Sequence, residues 1–295
     1  MKYVLLSIFL LSFCFSFSQN SMDENYKIYD TRNKQIITID KIISDCADAD
    51  VLFFGEEHND SVCHYLEAKI FKALYKKYGN EIALSLEMFE TDNQLPLNEY
   101  LAGFIPEDRF AKDVRLWNNY KDYRPMIEFA KDNHIQVIAA DPPRRYVNMV
   151  SRLGMASLNG LSKDAKKFLP PLPYDTLSGR YREKFEEVMN GSPGSDNPKI
   201  YYSQNLWDAG MSYSIYKFLK NNKHKKIFHC VGEFHTAEKL GTAAQLQMRN
   251  KKLKILNIAS VSDASFSSSD PKSWEKFSNL GDYVLITNPE LKKTF

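Results

Sequence analysis

The sequence predicts an α/β protein: a mostly parallel central sheet flanked by helices, with a helical insertion, or cap, over the strand ends. Three observations carry that expectation. Short continuous apolar runs, of the kind buried on both faces of a parallel sheet, alternate with amphipathic stretches of helical period. The apolar runs stop abruptly on Gly-Glu, on Glu or on Asp-Pro. Between residues 143 and 225 the apolar strand runs cease while helical periodicity continues.

Taken in order, Val51-Leu52-Phe53-Phe54 before Gly55 reads as a buried strand. After Asp60, the spacing of Val62, Leu66, Ile70, Leu74 and Tyr75 predicts a helix that stops at Gly79. A second strand, 82–86, ends at Glu87. Helical pattern returns over 94–101 and 123–133, where Pro125 suits a first turn. A third strand, 135–140, ends at Asp141-Pro142-Pro143. The middle of the chain holds Pro170-Pro171-Leu172-Pro173, a turn cluster from Gly191 to Pro198, and amphipathic stretches at 181–189 and 206–219. Alternation resumes with a strand at 227–231, a helix at 237–249 and strands at 253–259 and 283–286; the serine-rich stretch 265–269 reads as a surface loop. The expected division is a signal peptide at 1–18, a first part of the core at 19–142, the helical insertion at 143–225 and a second part of the core at 226–295. The cap is expected to shield the crevice with apolar wall and to leave its acidic groups to the strand ends.

Composition narrows the class. Of 295 residues, 43% are hydrophobic and 26% charged, which excludes collagen-like and wholly disordered chains. A net charge of +2 gives no bulk reason to expect nucleic acid or an anionic membrane as partner. Met1-Lys2, the apolar run Val4 to Phe15 and Ser16-Phe17-Ser18 have the order of a secretory leader, and the run is shorter than the ~20 residues of a membrane span. The protein is therefore expected to be exported, to the periplasm or cell envelope. Phe13 before Cys14 argues against a lipid anchor there. Cys46, Cys63 and Cys230 then remain, enough for at most one internal disulfide and not for a disulfide scaffold.

The strongest signal is a tetrapeptide of the form G-E-x-H that occurs twice, as Gly55-Glu56-Glu57-His58 and as Gly232-Glu233-Phe234-His235, each at the end of an expected strand. On the order of 0.01 matches are expected by chance from the composition. Ligands in open α/β sheets gather beyond the carboxyl ends of the strands, and glycine there permits close backbone approach. Each copy is expected to place one His and one carboxylate at the rim of one crevice, making His58, His235, Glu56 and Glu233 the candidate catalytic groups, with Glu87 as a third acid. His58, His235 and Glu87 are also the candidate metal ligands. His64, six residues beyond His58, is open between the cleft and the surface. Arg144 and Arg145 stand where a guanidinium can hold a carboxylate or phosphate. Trp117, Tyr120, Tyr123 and Arg124 read either as pocket wall or as core. His134, His224 and His229 read as structural.

These residues resemble the ChaN-like haem-binding family, which sits with the Tiki, TraB and erythromycin-esterase proteins in a superfamily marked by paired G-x-x-H motifs. The matching pieces are 51–58, Leu86-Glu87-Met88-Phe89 with Gln94, Leu97 and Leu101-Ala102-Gly103, then Trp117, Tyr123-Arg124-Pro125, Pro142-Pro143-Arg144, 204–211 and 231–235. The resemblance implies an α/β core with a helical insertion, export, and haem binding for iron acquisition, with an outer-membrane uptake partner and a homodimer as the partners it suggests. It departs at Cys63, where a second histidine beside His64 is expected, and in the missing lipobox. Haem iron takes His or Tyr axially and its propionates take Arg, so His58, His64, His235, Tyr123, Arg124 and Arg144 are the candidate cofactor-binding set. No C-x-x-C-H motif is present, so haem would be held reversibly. The competing expectation is a hydrolase, either dependent on a divalent metal or using His and Glu as general bases. No G-x-S-x-G elbow occurs. A third reading leaves the motif residues as a buried polar network.

Overall fold

The computed structural model describes residues 22–191 and 197–295, so the leader, Cys14 and most of the turn cluster after Gly191 lie outside the described residues. In chain order the strands are β1 (Tyr26–Asp30), β2 (Gln35–Ile37), β3 (Val51–Glu56), β4 (Ile82–Glu90), β5 (Val137–Asp141), β6 (Lys226–Gly232), β7 (Ile255–Ser262) and β8 (Tyr283–Thr287). They form one eight-stranded sheet in the order β2-β1-β8-β7-β3-β6-β4-β5. The run from β8 to β5 is parallel, and β1 and β2 add an antiparallel edge. The fold is thus α/β with a mostly parallel sheet flanked by helices.

That antiparallel edge escapes the sequence reading, which begins its strands at Val51. β1 and β2 are short and partly exposed, with burial confined to the second half of β1. An edge hairpin of this kind carries neither a continuous apolar run nor a clean alternation.

The helices are α1 (Ile39–Asp45), α2 (Ser61–Tyr78), α3 (Gln94–Leu101), α4 (Glu107–Asp113), α5 (Tyr120–Asp132), α6 (Arg144–Leu153), α7 (Lys163–Lys166), α8 (Arg180–Met189), α9 (Pro198–Asn221) and α10 (Gly241–Arg249). α2 starts where Asp60 accepts hydrogen bonds from the Val62 and Cys63 amides (2.8 and 3.3 Å), and it ends at Gly79 with φ 54°. β3 shows why the central strands are apolar throughout. Leu52 and Phe54 join a core shared with α2, α3 and α5, whereas Val51 and Phe53 join a second core shared with α9 and α10. Each fully buried Phe contributes ~1.5–3 kcal/mol by leaving water.

The outer edge strand β5 is closed by a side chain. Gln94 donates to the Val137 carbonyl (2.9 Å) and accepts from the Ala139 amide (2.8 Å), and the Ser214 hydroxyl donates to the Ala140 carbonyl (3.1 Å). The helix expected over 237–249 is broken. Glu238, Lys239 and Gly241 have φ of 61°, 55° and 53°, so α10 begins only at Gly241, where a Cβ would collide with the His235 carbonyl oxygen. The serine-rich stretch contains a 3-10 turn, Ala264–Ser267, opened by the Asp263 carboxylate.

Candidate functional site

Three neighbouring strands, β3, β6 and β4, end on one side of the sheet. Glu56 pairs with Gly232, and Leu86 with Cys230. Beyond Leu86 the β4–β5 register shifts before pairing resumes at Glu90 and Asp141. Such an irregularity re-aims side chains, and Glu87 sits within it. Its Oε2 accepts a 2.6 Å hydrogen bond from the Gly232 amide, so the second motif's glycine fixes the carboxylate contributed by β4.

Both motif histidines turn their Nε2 toward this carboxylate: His58 Nε2 lies 3.9 Å from Glu87 Oε2, and His235 Nε2 lies 3.8 Å from Glu87 Oε1. Each ring is held from behind at Nδ1. Glu56 Oε1 anchors His58 at 2.8 Å, and Asp208 Oδ1 on α9 anchors His235 at 2.8 Å. Asp208 also accepts from Thr242 Oγ1 (2.9 Å) and from the Tyr181 hydroxyl. A Cβ on Gly232 would stand 2.6 Å from His58 Nε2. Glycine is required there because the imidazole of the other copy rests on it.

The anchoring carboxylates set the charge. Burial opposes protonation of His58, but the Glu56 hydrogen bond and the charges of Glu87 and Glu56 outweigh it and raise its pKa to about 9. His235 is also raised: burial opposes its charge, and Asp208 and Glu87 overcome it. Glu56, though fully enclosed, is held down to about 2 by its hydrogen bonds to His58 and His64. Asp141, beside Glu87, is pushed well above the carboxylate range by burial and by the charges of Glu87 and Glu90. Its Oδ1 meets no hydrogen-bond donor among the described residues.

The structure corrects several expectations. Glu56 is buried beneath His58, where the Tyr123 hydroxyl donates to it at 2.8 Å, and is not a rim group. Tyr123 is itself fully buried and so does not offer its oxygen to a ligand. Glu233 turns away to Lys184 (3.9 Å) and does not pair with His235. Arg124 is exposed, engaged by half-buried Glu107 (2.5 Å), and leaves the site. Arg145 pairs with Asp92. His64 turns inward, touching the surface only at a hollow that Ser61 and Tyr65 also line. It is buried, with Nδ1 3.1 Å from Glu56 Oε2 and 3.4 Å from Glu67 Oε2. Helix α9, within the segment expected to form the cap, supplies an acid, Asp208, where apolar wall alone was expected. Its visible sign is a lone carboxylate among the apolar and small residues of 206–211. Cys46, Cys63 and Cys230 are buried free thiols.

A cleft of about 570 Å³ opens beside Glu87, walled by Trp117, Trp207, Phe185, Met189 and Ile200, with Asp141, Arg144 and Gln204 also lining it. Trp117 meets the His58 ring edge-on at 5.0 Å and Trp207 meets His235 at 6.4 Å. A larger groove of about 790 Å³ runs along β5; neither motif histidine lines either hollow, but the smaller one is lined by Glu87, Trp117 and Trp207, the neighbours of the two imidazoles. Among the described residues no helix is long and apolar enough to cross a membrane.

Residues 42–246 match the family described as haem-binding uptake, Tiki superfamily, ChaN. The chain belongs to this family. Among solved structures it is similar to ChaN of Campylobacter jejuni, a protein with cofacial haem binding: 18% identity, 90% of this chain and 97% of that one covered, TM-score 0.67. That likeness is one of fold. An erythromycin esterase mutant in its open conformation aligns at 12% identity over 80% of this chain and 76% of the other, with a TM-score of 0.46. The chloroplastic protein RETICULATA-RELATED 5 of Arabidopsis thaliana is 27% identical over 134 residues, 43% of this chain, and the chain spans 18% of that protein's length. The family's own description names haem binding.

Proposed function

We propose that the protein is an exported haem-binding protein of haem or iron uptake that holds its ligand reversibly in the cleft beside Glu87. The observation that carries this reading is a cleft lined by Trp117, Trp207 and Arg144, with the half-buried His58 imidazole packed against Trp117 beside it. The donor set fits haem: a neutral imidazole Nε2 ligates iron, a carboxylate behind Nδ1 raises its basicity, and a guanidinium meets a propionate. His58 would hold the iron, Trp117 and Trp207 the ring, and Arg144 a propionate. Haem bound there supplies an iron centre. The chain orients it through Glu56 and Gly232 and screens it with α6, α8 and α9, which act as the cap over the strand ends. The leader-like run supports a periplasmic or envelope location, where a second copy of the chain or an outer-membrane uptake protein would be the partner.

A second reading is favoured by one specific feature. Two imidazoles, each backed by a carboxylate, converge on a single acid, an arrangement that binds a divalent metal or activates a water for ester or amide hydrolysis. Absorption titration of the purified protein with hemin, run beside metal analysis of the same sample, separates the two. Haem binding is expected to give a saturable Soret shift that His58→Ala weakens by about 10- to 100-fold while the folded fraction is kept. A titration that His58→Ala leaves unchanged removes the assignment.

A further inference from the structure

We infer that Glu56, His64 and Glu67 form a second, closed site for one divalent transition-metal ion of zinc type, buried beneath the cleft and separate from Glu87. The inference does not depend on haem binding. One ligand atom from each of the three residues lies within 4.8 Å of the others. His64 Nδ1 is 3.1 Å from Glu56 Oε2 and 3.4 Å from Glu67 Oε2, close to the edge of a tetrahedral zinc site with bonds of about 2.1 Å, roughly 3.4 Å.

The tautomer points the same way. His64 Nε2 lies 3.0 Å from the His58 carbonyl oxygen, which can only accept, so Nε2 carries a hydrogen. A metal-bound histidine is held in this manner, its other ring nitrogen donating to a backbone carbonyl. Nδ1 therefore directs either a lone pair or a second proton at two carboxylates. Both acids are enclosed; Glu56 Oε2 has the His64 Nδ1 contact, and Glu67 Oε1 meets no hydrogen-bond donor among the described residues. With both carboxylates ionised and the imidazole neutral the cluster carries charge −2, which one divalent ion cancels. An approach exists from the far side: His64 and Asp122 reach a surface hollow of about 490 Å³ bounded by Ser61 and Tyr65.

The test is made on the full chain, stripped of metal with a chelator and then equilibrated with Co2+ or Zn2+. X-ray absorption of the zinc-loaded wild-type protein is expected to show one imidazole among oxygen ligands. Two imidazoles would put the ion between His58 and His235 and overturn the proposal. By equilibrium dialysis, Glu67→Gln is expected to weaken Co2+ binding by at least about 100-fold, and His235→Ala to leave it unchanged. The reverse pattern, or a wild-type protein that retains no cobalt, overturns it as well. Should Glu67→Gln fail to fold, the wild-type spectrum alone decides.

Discussion

The two G-E-x-H copies are alike in sequence and unlike in use. In the first, the motif is self-contained: Glu56 backs its own His58. In the second, Glu233 turns aside to Lys184, and His235 takes its anchor from Asp208, a residue of the helical segment between β5 and β6. The copies are also staggered by one residue across the adjacent strands, with Gly55 beside Val231 and Gly232 beside Glu56. That offset makes them interlock. Gly232 lies under the first copy's imidazole, and Gly55 lies against Thr236, the residue after the second copy's imidazole. A repeated motif thus conserves the placement of its histidines, while the carboxylate behind each ring is chosen by whichever element packs there.

The largest effect should separate the two acids of the second copy. Asp208→Ala removes a fully buried charge that holds His235, Thr242 and Tyr181, and urea denaturation is expected to show a loss of about 3–5 kcal/mol. Glu233→Ala is expected to stay within about 1 kcal/mol. Equal losses would erase the distinction between the copies. Next come the glycines. Gly232→Ala and Gly55→Ala should each cost about 1–3 kcal/mol by overpacking, but only Gly232→Ala presses on a ligand-facing ring atom. Hemin titrations are expected to weaken for Gly232→Ala and to hold for Gly55→Ala, and the opposite order would break the interlocked arrangement.

The effect seen only in acid concerns the strands behind the motifs. β3 carries Phe53 where its partner β6 carries His229, a fully buried ring 2.9 Å from Ser85 Oγ. Burial, assisted by the charge of His235, lowers the His229 pKa to about 3. In the unfolded chain a histidine titrates near 6.5. The unfolded state therefore binds the extra proton first, and the stability due to neutral His229 is complete above pH ~6.5 and is lost as pH falls toward 3. Thermal melts of wild type and His229→Gln across that window should show the steeper acid decline in wild type. Parallel curves would mean that His229 is no more pH-sensitive than an uncharged residue.

Much of this was legible because the central strands are buried on both faces, so Val51 to Phe54 and Ile227 to Val231 stand out as apolar runs with a glycine at the end. The histidines and Glu87 could be found from their places at those ends. Asp208 could not, since its partner lies 27 residues away, in the turn after β6, and the two meet only in the folded chain. Glu67 was hidden for a related reason: on a helix of 18 residues, one acid at i+3 from His64 looks like any solvated turn. β1 and β2 were missed because a half-exposed edge leaves no strong period.

The amide of Gln94 stands in for a ninth strand. By offering one donor and one acceptor to the outer rim of β5, it satisfies two ladder groups at once and leaves no template on which another chain could add. Glu is not a substitute at this position despite its shape, because a carboxylate would face the Val137 carbonyl with a second acceptor. A single uncharged side chain thereby settles where the sheet stops growing on its β5 side, while the other edge is left to the short strand β2.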